Sequence, residues 1–234
     1  MNTTAANTVL ITGASRGLGL ALADALAAHG WTLILDARGS EALAKASATL
    51  RRRTTVYSLA GDISHAGHRR DLAALAQQAG GLDAVVNNAS TLGVSPLPTL
   101  LEYPLEALEQ VYRTNLLAPL ALLQEVRHTL KPGARIMNIT SDAAIEPYPG
   151  WGGYGSSKAG LEQLSAILAA ENPSYRVYWV DPGDMRTQMH QEAFPGEDIS
   201  DRPLPDVAVP SLLALLRGEM PSGRYKAQAM PNQP

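Results

Sequence analysis

Tyr154 and Lys158 stand four residues apart in Tyr154-Gly155-Ser156-Ser157-Lys158, where a helical pattern begins, so both side chains share one helix face. A phenol ionises near ~10 when unperturbed, which makes it a slow source of phenolate at neutral pH. An ammonium group beside it favours the phenolate and lowers that value. Such a pair suits proton exchange with an oxygen that gains negative charge, as when hydride adds to a carbonyl. Tyr-x-x-x-Lys is common on its own, because a tyrosine at a helix start usually packs and a lysine usually faces solvent. Its position adds weight: Ser141 lies thirteen residues earlier, just beyond an apolar run.

A second group reads as a phosphate cradle. Thr12-Gly13-Ala14-Ser15-Arg16-Gly17-Leu18-Gly19 lies between a short apolar run and a helical pattern. Glycine permits a tight turn there and lets a pyrophosphate approach the backbone at a helix N-terminus. The spacing is wider than G-x-G-x-x-G, but the placement directly after a buried strand makes the phosphate reading strong. Metal chemistry is not expected. His65 and His68 are the one close histidine pair, without a third ligand nearby, and read as surface residues around a helix start. The absence of cysteine excludes disulfides and thiolate catalysis.

The elements that must position these residues alternate between strand and helix. Strands are expected at 8–12, 32–37, 54–60, 84–88, 135–140 and 176–181, with a short last one at 224–227. Helices are expected at 17–29, about 40–52, 66–79, roughly 105–130, 156–170 and 207–217, with Pro119 bending or dividing the longest. The arginines at 51–53 read as a solvated helix end. This order implies an α/β fold: one doubly wound parallel sheet of about seven strands with helices on both faces, over a single domain 1–234. Residues 183–205, rich in Pro, Gly and acidic residues, read as a long functional loop, and 229–234 as a fraying end. A net charge of −3 gives no general pull toward nucleic acid or an acidic membrane surface. The small polar residues at 1–8 and the very short apolar run after them point away from a signal peptide or membrane span, and toward a cytoplasmic protein.

Taken together, these motifs resemble the short-chain dehydrogenase/reductase family along nearly the whole chain. Thr12, Gly13, Gly17 and Gly19 match its TGxxxGxG; Asn87-Asn88-Ala89 is similar to NNAG, and Pro182-Gly183 with Thr187 to PGxxxT. Gly61-Asp62 looks like the family's acidic residue after the third strand. Asn138-Ile139-Thr140-Ser141 is similar to N-[IV]-S-S, and Asn115 in Thr114-Asn115-Leu116-Leu117 matches an asparagine on the central helix. The resemblance implies a Rossmann fold and a catalytic tetrad of Asn115, Ser141, Tyr154 and Lys158. In it Tyr154 is the acid/base, Ser141 holds the substrate oxygen and Lys158 holds the nicotinamide ribose. Asn115 anchors a water that links Lys158 to solvent. A dinucleotide site is implied at Gly13, Ser15, Arg16, Gly17, Leu18, Gly19, Ala37, Arg38, Asp62, Ile63, Asn88, Ala89, Tyr154, Lys158, Pro182, Gly183, Met185 and Thr187. Ser90 departs from the family by replacing the glycine of NNAG; its side chain either crowds the cofactor or donates a hydrogen bond.

The family's ribose-selecting position lies 18 residues after the last motif glycine, which is Ala37. Asp36 precedes it, and strand alternation turns its side chain to the opposite face. Arg38 and Arg16 suit a 2′-phosphate. NADP(H) is therefore the expected cofactor. NAD(H) is the alternative if a one-residue shift restores Asp36, which would make the chain an NAD-dependent alcohol dehydrogenase. A non-catalytic dinucleotide-binding regulator is the reading from another class, and retention of Tyr154 and Lys158 speaks against it. The expected substrate is a small carbonyl compound or alcohol, walled by Ala143, Ile145, Tyr148, Trp151, Met185, Met189 and Phe194, with 184–204 as a flap. The apolar helix and the family likeness together imply a homodimer or homotetramer.

Overall fold

The structure, a computed structural model, describes residues 6–230; residues 1–5 and 231–234 of the two expected terminal segments lie outside it. In chain order the elements are β1 (Thr8–Ile11), α1 (Gly17–Ala28), β2 (Thr32–Ala37), α2 (Ser40–Leu50), β3 (Val56–Ala60), α3 (Ala66–Gln78) and β4 (Leu82–Asn87). They continue as α4 (Leu105–Tyr112), α5 (Ala118–Val126), β5 (Leu130–Ile139), α6 (Gly152–Glu171), β6 (Arg176–Asp181), α7 (Gln188–Ala193), α8 (Val209–Arg217) and β7 (Gly223–Lys226). The seven strands form one parallel sheet in the order β3-β2-β1-β4-β5-β6-β7. Parallel pairing needs a crossover between strands, and the helices supply it.

Strand alternation divides the core in two. Val9, Ile11, Leu33, Leu35 and Val86 face α1, α2 and α8, where Leu22, Leu26, Leu43, Leu212 and Leu216 meet them. Leu10, Ile34, Val85, Ile136 and Val177 face the other way, onto Leu72 of α3 and Leu122 and Val126 of α5. A strand buried on both faces reads as an unbroken apolar run, and these runs made the sheet legible. The order of strands reverses at β1, between β2 and β4. The crevice outside the carboxyl ends of the strands at such a point is where α/β sheets bind ligands.

Two elements differ from expectation, and a third takes one of the forms expected of it. The helix expected over 105–130 is divided into α4, a π-helical turn at Arg113–Leu117, and α5. Within the turn the Ala118 N–H bonds Arg113 O, five residues back. Pro119 supplies a cause: it has no N–H for the carbonyl of Asn115 four residues earlier, and an extra residue in the turn absorbs the break. The loop expected over 183–205 contains α7, whose six residues are too few to show periodicity. Ala229, expected to fray, closes a short 3-10 turn, Ala227–Ala229. Among the described residues no helix is long and apolar enough to cross a membrane.

Candidate active site

Thr12 at the end of β1 fastens the glycine turn to the end of β4. Its hydroxyl oxygen accepts the N–H groups of Asn88 and Ala89, both at 3.0 Å. The Asn88 amide donates to Thr12 O (2.9 Å) and Gly13 O (3.1 Å). Gly17 holds φ +57°, a conformation that side chains disfavour, and a Cβ on Gly19 would lie 2.5 Å from Gly13 O. The first turn of α1 carries neither a side-chain cap nor an acidic residue among the described residues. Its N–H groups and the positive end of the helix dipole are thus directed at the crevice, as a pyrophosphate requires.

At the far end of the crevice β2 sets out the residues that read the ribose. Ala37 is buried and Arg38 is exposed. Asp36 lies on the opposite face of the strand, as its register predicts, and is fixed there. His68 Nε2 approaches Asp36 Oδ1 to 2.6 Å, and a Gly13 backbone hydrogen bond acts on the same carboxyl group. Burial pushes the Asp36 carboxyl above its ordinary range, against those two partners. His68 is therefore not the surface residue expected from sequence: its side chain is only 8% exposed, and Gly61 leaves the room its ring needs. His65 is exposed as expected. Burial disfavours the Asp62 carboxylate, yet hydrogen bonds from Ser64 outweigh it and hold the carboxyl below its usual range. Arg16 reaches across to Gln188 of α7 rather than toward Arg38.

The opposite end holds Ser141, Tyr154 and Lys158. Ser141 Oγ donates to Asp142 Oδ1 at 2.9 Å, and the other carboxylate oxygen accepts from the Tyr148 hydroxyl at 3.0 Å. Behind Ser141, Arg224 Nη2 donates to its carbonyl (3.2 Å) while Arg224 Nε bonds Glu162 at 3.0 and 3.1 Å. Burial raises the Tyr154 phenol well above its ordinary value; the Asp181 and Asp142 charges add to this, and hydrogen bonding from Ser90 and Ser141 opposes it. Lys158 is 2% exposed; its Nζ donates to Ile139 O at 2.8 Å and lies 5.5 Å from the Tyr154 ring centroid. Burial pushes the ammonium down to about 7. Burial thus favours the protonated phenol of Tyr154 and the neutral amine of Lys158.

Asn115 is 1% exposed, and its amide is saturated. Oδ1 accepts from Thr91 N (2.9 Å) and Ser90 Oγ (3.1 Å). Nδ2 donates to Thr91 O (2.8 Å) and Ser157 Oγ (3.0 Å), and Ser157 Oγ in turn donates to Tyr154 O at 2.6 Å. The side chain therefore clamps the loop after β4 to α6. With all four of its positions filled, the amide has none left for the water expected of it.

After β6, Asp181 Oδ1 accepts from Gly183 N at 2.9 Å and sets the Pro182-Gly183 turn. Thr187 caps α7 by accepting from His190 N at 3.2 Å. Trp151 stands edge-on to Tyr154, with ring centroids 5.7 Å apart, and 5.9 Å from Phe194. One cavity of about 1620 Å³ is lined by every expected dinucleotide residue except Gly19, and by Ser141. Gly19 and Asn115 sit behind its wall. Ala143, Tyr148, Trp151, Met185, Met189 and Phe194 line it as expected, whereas Ile145 is 57% exposed and does not. Sequence reasoning missed His68, Glu162 and Arg224, which act through partners 32 to 83 residues away and belong to no local motif. No group of His, Cys, Asp and Glu among the described residues could hold a metal ion.

Comparison with known proteins identifies the family and the fold. The sequence model of a family described as short chain dehydrogenase matches residues 7–198. The chain is 36% identical over 200 residues to sepiapterin reductase of Meriones unguiculatus, covering 79% of this chain and 76% of that protein. A structure from Pseudomonas syringae described as a short chain dehydrogenase superposes with a TM-score of 0.89 at 31% identity, covering 95% and 94% of the two chains. One from Shigella flexneri 2a str. 301, described as complexed with NADP, superposes with a TM-score of 0.87 at 27% identity, covering 95% and 97%.

The buried lysine makes a pH-dependent prediction. Its folded value, about 7, lies below the ordinary 10.5, so between these limits the unfolded chain binds more protons and stability rises with pH. The cost of burying the charge is complete below the window and gone above it. Lys158→Met should therefore melt higher relative to wild type at pH 6 than at pH 10. A melting-temperature difference that is the same at both pH values would show that the ammonium carries no such cost.

Proposed function

We propose a reaction from one premise: the chain belongs to the short-chain dehydrogenase family. The reaction is hydride transfer between NADP(H) and a small carbonyl or alcohol substrate, with Tyr154 as general acid and base. The observation that carries it is that Ser141, Tyr154 and Lys158 line the same cavity as an uncapped helix start and its glycine turn. When bound, the nicotinamide group supplies or accepts the hydride. Arg38 would hold the 2′-phosphate, joined by Arg16 if it leaves Gln188, and Asp62 and Ile63 would hold the adenine side. Pro182, Gly183, Met185 and Thr187 would hold the nicotinamide side, and Lys158 its ribose.

In the reducing direction Ser141 turns its hydroxyl from Asp142 to the substrate oxygen and orients it. Tyr154 gives its proton to that oxygen as charge develops there, and burial keeps the phenol protonated until then. Trp151, Tyr148 and Phe194 wall the substrate and exclude water from it. The neighbour complexed with NADP supports the cofactor assignment, as does the commitment of Asp36 to His68. Sepiapterin reductase, as a reductase relative, supports the direction.

The same reading makes 1–234 one catalytic domain located in the cytoplasm. It makes the chain a homodimer or homotetramer, for which the exposed Leu105, Leu117 and Ile167 provide apolar surface. Residues 184–204 become a flap, with α7 bridging the cavity mouth through Gln188 to Arg16 and through Glu192 O to Ser95 Oγ. Hydrogen exchange across 184–204 should slow when NADPH and substrate are added, and unchanged exchange would remove the flap.

Tyr154→Phe keeps the ring and removes the proton donor. With NADPH and a panel of ketones, aldehydes and quinones, its turnover should fall on the order of 10²-fold or more while NADPH still binds. Turnover within a few-fold of wild type would refute the assignment. Arg38→Ala should raise the NADPH dissociation constant on the order of tenfold, since a hydrogen bond to a charged group contributes about 1.5–3 kcal/mol, and should leave NADH nearly unchanged. Equal losses for the two cofactors would make Arg38 structural, and a wild type that prefers NADH would return the selection to Asp36.

A further inference from the structure

Where β5 ends, three successive residues are each tied to a charged side chain from another element. Ile139 O accepts from Lys158 Nζ at 2.8 Å, Thr140 Oγ1 donates to Glu162 Oε1 at 2.8 Å, and Ser141 O accepts from Arg224 Nη2 at 3.2 Å. Tyr154, Lys158 and Glu162 follow at four-residue spacing along α6 and so share one face of it. Arg224 comes from β7, at the edge of the sheet, where it pairs in register with Trp179 of β6. Its Nε donates to both Glu162 oxygens, at 3.0 and 3.1 Å, and its Nη2 lies 3.7 Å from Asp181 Oδ2. That distance is beyond hydrogen-bond reach but close for opposite charges. Asp181 Oδ1 in turn accepts from Gly183 N at 2.9 Å. The side chains of Arg224, Glu162 and Asp181 are all largely buried, so salt and water screen them little.

A guanidinium is planar and presents its N–H groups as a fixed fork. Anchored through Nε on Glu162, the fork carries Nη2 to the Ser141 carbonyl and beside Asp181 together. We propose that Arg224 is a positioning residue, whose guanidinium holds the Ser141 main chain and the Pro182-Gly183 turn at a set distance from each other and from α6. The inference rests on the carbonyl reaction proposed above, in which Ser141 orients the substrate oxygen and the Pro182-Gly183 turn holds the nicotinamide side. Ser141 and the turn follow the ends of two adjacent strands, β5 and β6. Hydride must pass between what they hold, so an error in their spacing falls on the reacting atoms. Glu162 completes the device by fixing Arg224 to the helix that carries Tyr154 and Lys158. Neither Arg224 nor Glu162 lines the cavity, whereas Ser141, Asp181, Pro182 and Gly183 do, so the two act through these partners.

The experiment compares wild type with two variants. Arg224→Met is made together with Glu162→Gln, so that no carboxylate is left unpaired at 162. Arg224→Lys keeps a cation beside Glu162 without the fork, and guards against a double variant that fails to fold. The first readout needs no turnover. It is the dissociation constant of NADPH beside that of adenosine 2′,5′-bisphosphate, which lacks the nicotinamide half. Both variants should bind NADPH on the order of fivefold more weakly, because the turn is no longer preorganised, and should bind the bisphosphate as wild type does. Equal losses for the two ligands would mean a general loosening and would overturn the proposal, as would no loss for either. The second readout uses whichever ketone or aldehyde of the panel wild type reduces. Here kcat should fall on the order of tenfold with KM for the carbonyl compound little changed. In a Ser141→Ala background the same substitutions should cost much less, since the group they position is gone. A loss equally large in that background would overturn the positioning of Ser141. Arg224→Lys indistinguishable from wild type in both readouts would show that charge alone suffices, and would overturn the fork. A wild type that reduces nothing in the panel would remove the proposed reaction, and the two dissociation constants would still decide the role of Arg224.

Discussion

The amide of Asn115 joins three segments that the sequence keeps far apart. Its two oxygen bonds and two nitrogen bonds reach Ser90 and Thr91 after β4 and Ser157 on α6, while its own backbone lies in the π turn between α4 and α5. An amide that is 1% exposed must satisfy every donor and acceptor inside the protein, so these bonds are fixed together or lost together. Ser157 passes the constraint to the carbonyl of Tyr154. Tyr154, the proposed acid, is therefore positioned by an asparagine that does not line the cavity. The π turn belongs to the same device: Pro119 interrupts the helical bonding there, and the Asn115 amide carried by the turn reaches both partners.

Charge at this end of the crevice is arranged around burial rather than around ion pairing. Lys158 is nearly inaccessible, and its hydrogen-bond partner is a neutral carbonyl, Ile139 O. Arg224 pairs with Glu162, donates to the Ser141 carbonyl and lies 3.7 Å from Asp181, so it offsets acidic groups beside the site while Lys158 stays without an ionic partner among the described residues. The phenol consequently faces net desolvation and stays protonated. A site built this way favours giving a proton over taking one, until a positive group comes to rest beside the phenol. The positive nicotinamide of an oxidised cofactor is such a group, so the direction of the proton would follow the redox state of what is bound.

The fold was legible because burial on both faces writes strands as apolar runs; the glycine turn, and the placing of Ser141, Tyr154 and Lys158 on one cavity, were legible because local geometry demands particular residues at the ends of those strands. The face assignment of Asp36 and Ala37 was legible too, since strand alternation has a period of two. What escaped was set at long range. His68 looked like a surface histidine because its partner is 32 residues earlier on another element. Arg224 sits on the last strand and acts on Ser141, 83 residues before it. The π turn was signalled by Pro119, but a proline in a helix permits a bend, a break or an inserted residue alike. The partner of Ser90 was not legible either, because its hydroxyl donates to Asn115 Oδ1, 25 residues later on another element.

The fate of Asp36 connects the glycine turn to the choice of dinucleotide. A carboxylate at the end of the second strand can accept a ribose 2′-hydroxyl, and would then oppose a phosphate at the same place. Here it is 2% exposed and occupied by His68, and its group interacts with Gly13 of the turn, while its carbonyl accepts Ala14 N at 2.8 Å. The side chain and backbone of one residue thus fix the turn that must receive the pyrophosphate. A group committed to that task cannot also turn outward to the ribose without loosening it. Moving the acid one position back in the strand separates the two functions: Asp36 serves the turn, and the outer face is left to Ala37 and Arg38. Selectivity for a 2′-phosphate then follows from withdrawing a negative charge as much as from supplying a positive one.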